Sequence, residues 1–294
     1  MHRFNRRRFV TSAVAFASSF ELQRAARALG FSSAAEVCRL AAEQEQGPFY
    51  VDDEMLRSNI TEGKPGVPLA LRLLVLDSRT CKPLPNVAID LWHCDAMGLY
   101  AGYTSSNPGE GPGSPGGSPP EGPEGPNGGP PAMKPTDKQT FLRGIQMTDA
   151  EGAVRFETVF PGFYMGRTNH VHFKVRLGGH AGEGSGHQTY LAGHVSHIGQ
   201  LFFPEELATE LMKHEPYSNH QIHRTTQQED GIYTEQHGAS SLANVAFLNK
   251  SKPEAGLSAS LIVAVDPTAT PASVRPAGPF GPPPSRRSRA SSNG

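Results

Sequence analysis

From His170 to Leu177 the residues alternate in character, and this run constrains the fold more than any other stretch. A period of two marks a β-strand. On such a strand His170 and His172, at i and i+2, project from one face, within reach of a single ion. Pro161 and Gly162 mark a turn just upstream. Tyr164 and Arg167 therefore sit on the loop that leads into the strand.

Other segments extend the pattern. Residues 69–76 read as a strand flanked by Pro68 and Pro83, and residues 87–92 as a second. Lys82–Asn86 between them predicts a hairpin. Residues 144–149 and 153–159 flank Asp149-Ala150-Glu151-Gly152, a second hairpin signal. Short strands are expected at 200–203 and 258–265. Residues 204–214 form the one convincing helix, with Glu205 and Glu206 in its first turn and Leu207, Leu211 and Met212 on one face. Many short strands with turn signals predict an all-β, antiparallel β-sandwich with short helical segments and long loops, spanning residues 31–266. Trp92 is read as a core residue.

Gly (32) and Pro (26) are abundant, and the excess falls mainly in two blocks. Residues 104–135 cannot bury enough apolar surface to offset their conformational entropy, and are expected to be a flexible insertion. Residues 267–294 read as a disordered Pro/Ser/Arg tail. Net charge is −1, and the basic clusters, Arg6-Arg7-Arg8 and Arg286-Arg287 with Arg289, are terminal. Neither nucleic acid nor an anionic membrane is an expected partner. Arg6 to Arg8 precede an apolar run from Phe9 to Phe20, too short to span a bilayer but suited to a signal peptide. Residues 1–30 resemble a twin-arginine export signal, against the plainer reading of an amphipathic helix. Export would take the chain to the periplasm, cell surface or medium, with no stable membrane insertion after signal removal. Three cysteines then imply at least one disulfide, with one thiol left over. A hairpin of 69–76 with 87–94 argues against a Cys81–Cys94 bond and for Cys38 as one partner.

A phenol and two imidazoles suit a hard trivalent ion better than zinc, which favours thiolate and imidazole, or magnesium and calcium, which want carboxylates. Non-haem Fe(III) is the natural candidate. A second phenol is needed to balance its charge. Tyr100 follows a strand end and Gly98 permits a sharp turn before it, while Tyr103 is the rival three residues on. The remaining histidines share no spacing that builds a second metal site.

Four stretches resemble the intradiol ring-cleavage dioxygenases: GPFY at 47–50, DLWHCDAMGLY at 90–100, LRGIQMTDAEGAVRFETVFPGFYMGRTNHVHFKV at 142–175 and HIGQLFFPEEL at 197–207. The resemblance is to the protocatechuate/catechol dioxygenase type, and to its exported stand-alone members. It implies a β-sandwich with Fe(III) held by Tyr100, Tyr164, His170 and His172. It also implies Arg167 as a catalytic residue, Tyr164 as ligand and general base, and Gln200, Pro48 and Tyr50 as substrate-binding residues. The implied reaction cleaves a catecholic ring between its hydroxylated carbons with O2, giving a muconate-type diacid. A homo-oligomer is compatible with it. The competing readings are a non-catalytic exported β-sandwich binding module and an iron protein that chelates catechols without turnover. The presence of all four ligands and Arg167 weighs against the binding module.

Overall fold

Two four-stranded sheets form the core of the molecule in the computed structural model, which describes residues 38–52, 55–109, 125, 127–184 and 186–274. The strands are β1 (Pro68–Asp77), β2 (Ala88–Trp92), β3 (Arg143–Met147), β4 (Ala153–Val159), β5 (His170–Glu183), β6 (Gln188–Phe202), β7 (Asn244–Phe247) and β8 (Leu257–Val265). Two short helices, α1 (Glu205–Leu211) and α2 (Gly231–Glu235), lie between β6 and β7. One sheet has the order β4-β1-β8-β7 and the other β3-β2-β5-β6. Pairing is antiparallel except between β1 and β8. The all-β sandwich read from the sequence is the fold observed. Helix α1 buries Leu207, Ala208 and Leu211 on one face, as its periodicity predicts. Among the described residues no helix is long and apolar enough to cross a membrane.

Neither predicted hairpin forms. β1 pairs with β4 and β8, whereas β2 pairs with β3 and β5, so the chain crosses from one sheet to the other between β1 and β2. The same happens between β3 and β4. The Asp149 turn does close, with Gly152 N–H donating to the Asp149 carbonyl at 3.0 Å, but the flanking strands diverge into different sheets. Turn chemistry sets the reversal of direction; the need of each strand to bury its own apolar face sets which sheet it joins. The β5–β6 hairpin runs well beyond the 170–177 and 200–203 segments expected. Its outer half is Gly- and His-rich and largely exposed, so it lacks the apolar alternation that marks a strand.

The second sheet has two buried faces of opposite character. Val171, Phe173 and Val175 of β5, Ile89 and Leu91 of β2 and Leu201 of β6 meet Leu71, Leu73, Val75, Phe156, Leu261 and Val263 of the first sheet. Each such side chain contributes about 1.5–3 kcal/mol by leaving water. The alternate residues point away from this core. Across the sheet they form one rung, Arg143–Trp92–His172–Gln200, each paired with the next. A polar outer face stays dry only if something covers it, and residues 44–50 do so. Ala41 N–H donates to the Ala264 carbonyl at 2.8 Å and Gln44 N–H to the Ile198 carbonyl at 3.0 Å. Gln44 Oε1 accepts from Gln200 N–H at 2.6 Å. Cys38 is disulfide-bonded to Cys81, which anchors the start of this strap, and Cys94 is a buried free thiol. The pairing agrees with Cys38 as a partner, although β1 and β2 do not form the hairpin from which that expectation was drawn.

The signal-like residues 1–30, residues 275–294 of the tail, and residues 110–124 and 126 of the Gly/Pro block lie outside the described residues. The described end of that block is docked. Asn127 is buried, donates to the Gln44 carbonyl at 2.8 Å and accepts through its own carbonyl from Val274 N–H at 2.8 Å. Met133 N–H donates to the Pro48 carbonyl at 2.8 Å.

Candidate metal centre

Strand β5 begins at His170, and its outward face presents both imidazoles to the strap. The Thr168 carbonyl lies 2.6 Å from His170 Nδ1. A carbonyl only accepts, so the proton sits on Nδ1 and the Nε2 lone pair is bare. That lone pair lies 3.0 Å from His172 Nε2 and 3.2 Å from the Tyr100 hydroxyl. His172 is wedged flat against Trp92, with ring centroids 5.0 Å apart and planes 6° from parallel. On its other side stands Gly47, at φ +74°, where an added Cβ would come within 3.2 Å of His172 Cε1. His172 Nδ1 is buried without a partner.

Tyr100 reaches the pair through a loop built on Asp95. The Asp95 carboxylate accepts from Met97 and Leu99 N–H at 2.9 and 3.0 Å, and Gly98 closes the turn at φ +80°. A Cβ at Gly98 would fall 2.4 Å from the Phe163 carbonyl, so only glycine fits. The Tyr100 and Tyr164 hydroxyls are hydrogen-bonded to each other. Phe49 seals this side, stacked on Tyr100 at 4.7 Å and edge-on to Tyr164 at 5.9 Å. Tyr103 points elsewhere, its hydroxyl donating to the Tyr50 and Met133 carbonyls at 3.0 and 2.9 Å. Arg143, buried beneath, donates to the Phe49 and Ala101 carbonyls at 2.7 Å each and so locks strap to loop.

Burial dominates the electrostatics. It holds both imidazoles neutral, well below the usual histidine range, and the Arg167 charge pushes the same way. It raises the Tyr100 phenol well above its ordinary value and the Tyr164 phenol to about 12. Without a cation the four groups are thus uncharged; a bound cation would reverse this for the phenols. The donors fit such an ion. The two imidazole Nε2 atoms stand 3.0 Å apart, close enough to share one ion. Among the described residues no group of three His, Cys, Asp or Glu side chains is arranged for a metal.

Arg167 lies beside the cluster, its guanidinium held by Asp230 through Nε, at 3.1 and 3.2 Å, and by Gln200 through Nη2. Gln200 is buried on β6, and its amide donates to the Glu45 carbonyl at 2.9 Å. Sequence reasoning therefore brought Tyr100, Tyr164, His170, His172, Arg167 and Gln200 to one place. Pro48 and Tyr50 are buried in the strap. The Tyr50 hydroxyl donates to Asp90 at 2.7 Å, and its ring lies between Trp92 and the Lys174 ammonium, one layer behind His172. Asp230 and Phe49 were missed as parts of the site. Phe49 stands inside a quoted motif; Asp230 carries only the signal of a helix N-cap. A cavity of about 370 Å³ adjoins the Tyr164–Arg167 turn, bordered by Met165, Gly166, Ile222 and Thr225.

No family model matches the chain, and no curated protein matches it. Solved structures do. The intradiol ring-cleavage dioxygenase from Tetranychus urticae is 30% identical, with the match covering 79% of this chain and 97% of that one at a TM-score of 0.62. A second solved dioxygenase is 31% identical over the same shares, 79% and 97%, also with a TM-score of 0.62. Sequence motifs, sandwich and overall match agree: the chain belongs to the intradiol ring-cleavage dioxygenase family.

Proposed function

We propose that this chain is a non-haem Fe(III) dioxygenase that cleaves a catecholic ring between its two hydroxylated carbons with O2 and yields a muconate-type diacid. One observation carries the reading: two neutral imidazoles and a phenol converge within 3.2 Å in a water-excluded pocket, with the second phenol bonded to the first. Tyr100, Tyr164, His170 and His172 would hold the ion. Ferric iron, when bound, would supply a Lewis-acidic centre that activates a catecholate toward O2.

The protein's own groups do the rest. Tyr164 Oη, whose protonated form is favoured by burial, would take a proton from a substrate hydroxyl. The Arg167 guanidinium supplies a fixed positive charge beside negative charge developing on the ring. Phe49, stacked over Tyr100, covers that phenol from solvent. The cavity beside Met165 and Gly166 supports entry from that side. The Cys38–Cys81 bond supports an oxidising destination, in keeping with export by the twin-arginine route.

The test is oxygen uptake by iron-loaded protein with catechol under ¹⁸O2. Uptake with both labelled atoms in a ring-opened diacid is the expected result. No uptake from a set of simple catechols would refute the reading.

A further inference from the structure

Asp230 is a fully buried carboxylate, 63 residues from Arg167 in sequence. Its oxygens accept from Arg167 Nε at 3.1 and 3.2 Å, Thr168 N–H at 3.0 Å, Ile232 N–H at 2.9 Å and Tyr233 N–H at 3.2 Å. The last two cap α2. The first two belong to the turn that sets the site, because the Thr168 carbonyl orients His170 and Gln200 holds the far side of Arg167. Arg167 is thus gripped at Nε and Nη2, and neither contact uses Nη1. A long flexible side chain held at two of its three nitrogens has one orientation, and only a fixed charge stabilises a developing anion without reorganisation cost.

We propose that Asp230 is the positioning residue for Arg167. It acts on turnover through the guanidinium and not through its capping of α2; this rests on the dioxygenase reading above. The two roles separate chemically. Asp230→Ser retains a hydroxyl that can cap Ile232 or Tyr233 N–H but cannot reach Arg167 as an anion. Asp230→Asn keeps the shape and loses one acceptor oxygen.

A double-mutant cycle with Arg167→Ala tests this in the iron-loaded protein. In the otherwise native chain, Asp230→Ser is expected to lower kcat about 10- to 100-fold, the range of strongly coupled contacts, with KM for catechol changed less. In the Arg167→Ala background the same substitution should change kcat by less than about twofold. Equal losses in both backgrounds would overturn the proposal and leave Asp230 a helix cap. A metal-free arm runs beside it: the Arg167 Nε–H proton resonance is expected to be sharp and slowly exchanging in the native chain and to broaden in Asp230→Ser, which removes both acceptor oxygens. An unchanged resonance would also overturn the proposal. Wild-type protein that consumes no oxygen would refute the dioxygenase reading instead, and the resonance would still decide whether Asp230 holds Arg167.

Discussion

Replacing Cys38 and Cys81 by serine should weaken the fold and leave the site assembled. The bond links positions 43 residues apart. In the chain-entropy account, closing a loop of that size removes about 13 cal/mol/K from the unfolded ensemble, or about 4 kcal/mol at 25 °C. For a domain of this size class each kcal/mol moves Tm by about 2–4 °C, so a fall of about 8–16 °C is expected. The strap has other anchors nearer the site. Ala41 stays bonded to Ala264, Gln44 to Ile198 and Gln200, and Pro48 to Met133. Calorimetry of the double variant beside wild type reads the stability, and bound iron per chain reads the site. A large loss of Tm with iron retained is the predicted pair. A change of Tm under about 2 °C would refute the entropy argument, and loss of iron would refute the claim that the inner anchors hold the strap.

Gly47→Ala forces a side chain into left-handed backbone, costing about 1–2 kcal/mol. It also presses on His172, which Trp92 prevents from retreating; a lower Tm together with weaker iron retention is expected, and retention of both would contradict the wedge. Tyr164→Phe removes a donor and a base together, so turnover should fall by about 100-fold or more; near-native oxygen uptake would count against its role. His93 is held neutral by burial, its pKa down at about 4, between the Cys94 carbonyl and the Thr158 hydroxyl. Its folded value lies below the unfolded one, so its stabilisation is complete above about pH 6.5 and fades as pH falls toward 4, a loss of up to about 3 kcal/mol. Denaturant titrations should show that fall in wild type and a shallower one in His93→Gln; parallel curves would refute it.

The site was more legible than the topology, for physical reasons. His170 and His172 share a face by the period of a strand alone, Tyr164 and Arg167 stand just upstream of them, and Tyr100, 70 residues from His170, was reached through the motif at 90–100 that resembles the family. Tyr100 was preferred to Tyr103 from its place after a strand end and Gly98, and the Tyr103 hydroxyl is committed to two carbonyls. The strand positions at 69–76, 87–92 and 153–159 were readable from their apolar runs, yet their partners were not. Pro83 to Asn86 and Asp149 to Gly152 say that the chain turns, and a turn serves a crossing between sheets as well as a hairpin. Asp230 was invisible for a related reason. Its contact with Arg167 spans 63 residues and follows no local pattern. Asn127 lay hidden in a Gly/Pro block whose composition argues for flexibility, while its buried amide and the Met133 N–H dock residues 127–135 against the strap.

The central claim, a ferric ion held by two phenolates and two imidazoles, is tested most directly by the visible absorption spectrum of the purified iron-loaded chain, taken before and after anaerobic addition of catechol. A broad tyrosinate-to-Fe(III) band that shifts when catechol is added is the predicted result. A protein that stays colourless after loading with Fe(III) would contradict the ligand set Tyr100, Tyr164, His170 and His172, and the proposed chemistry with it.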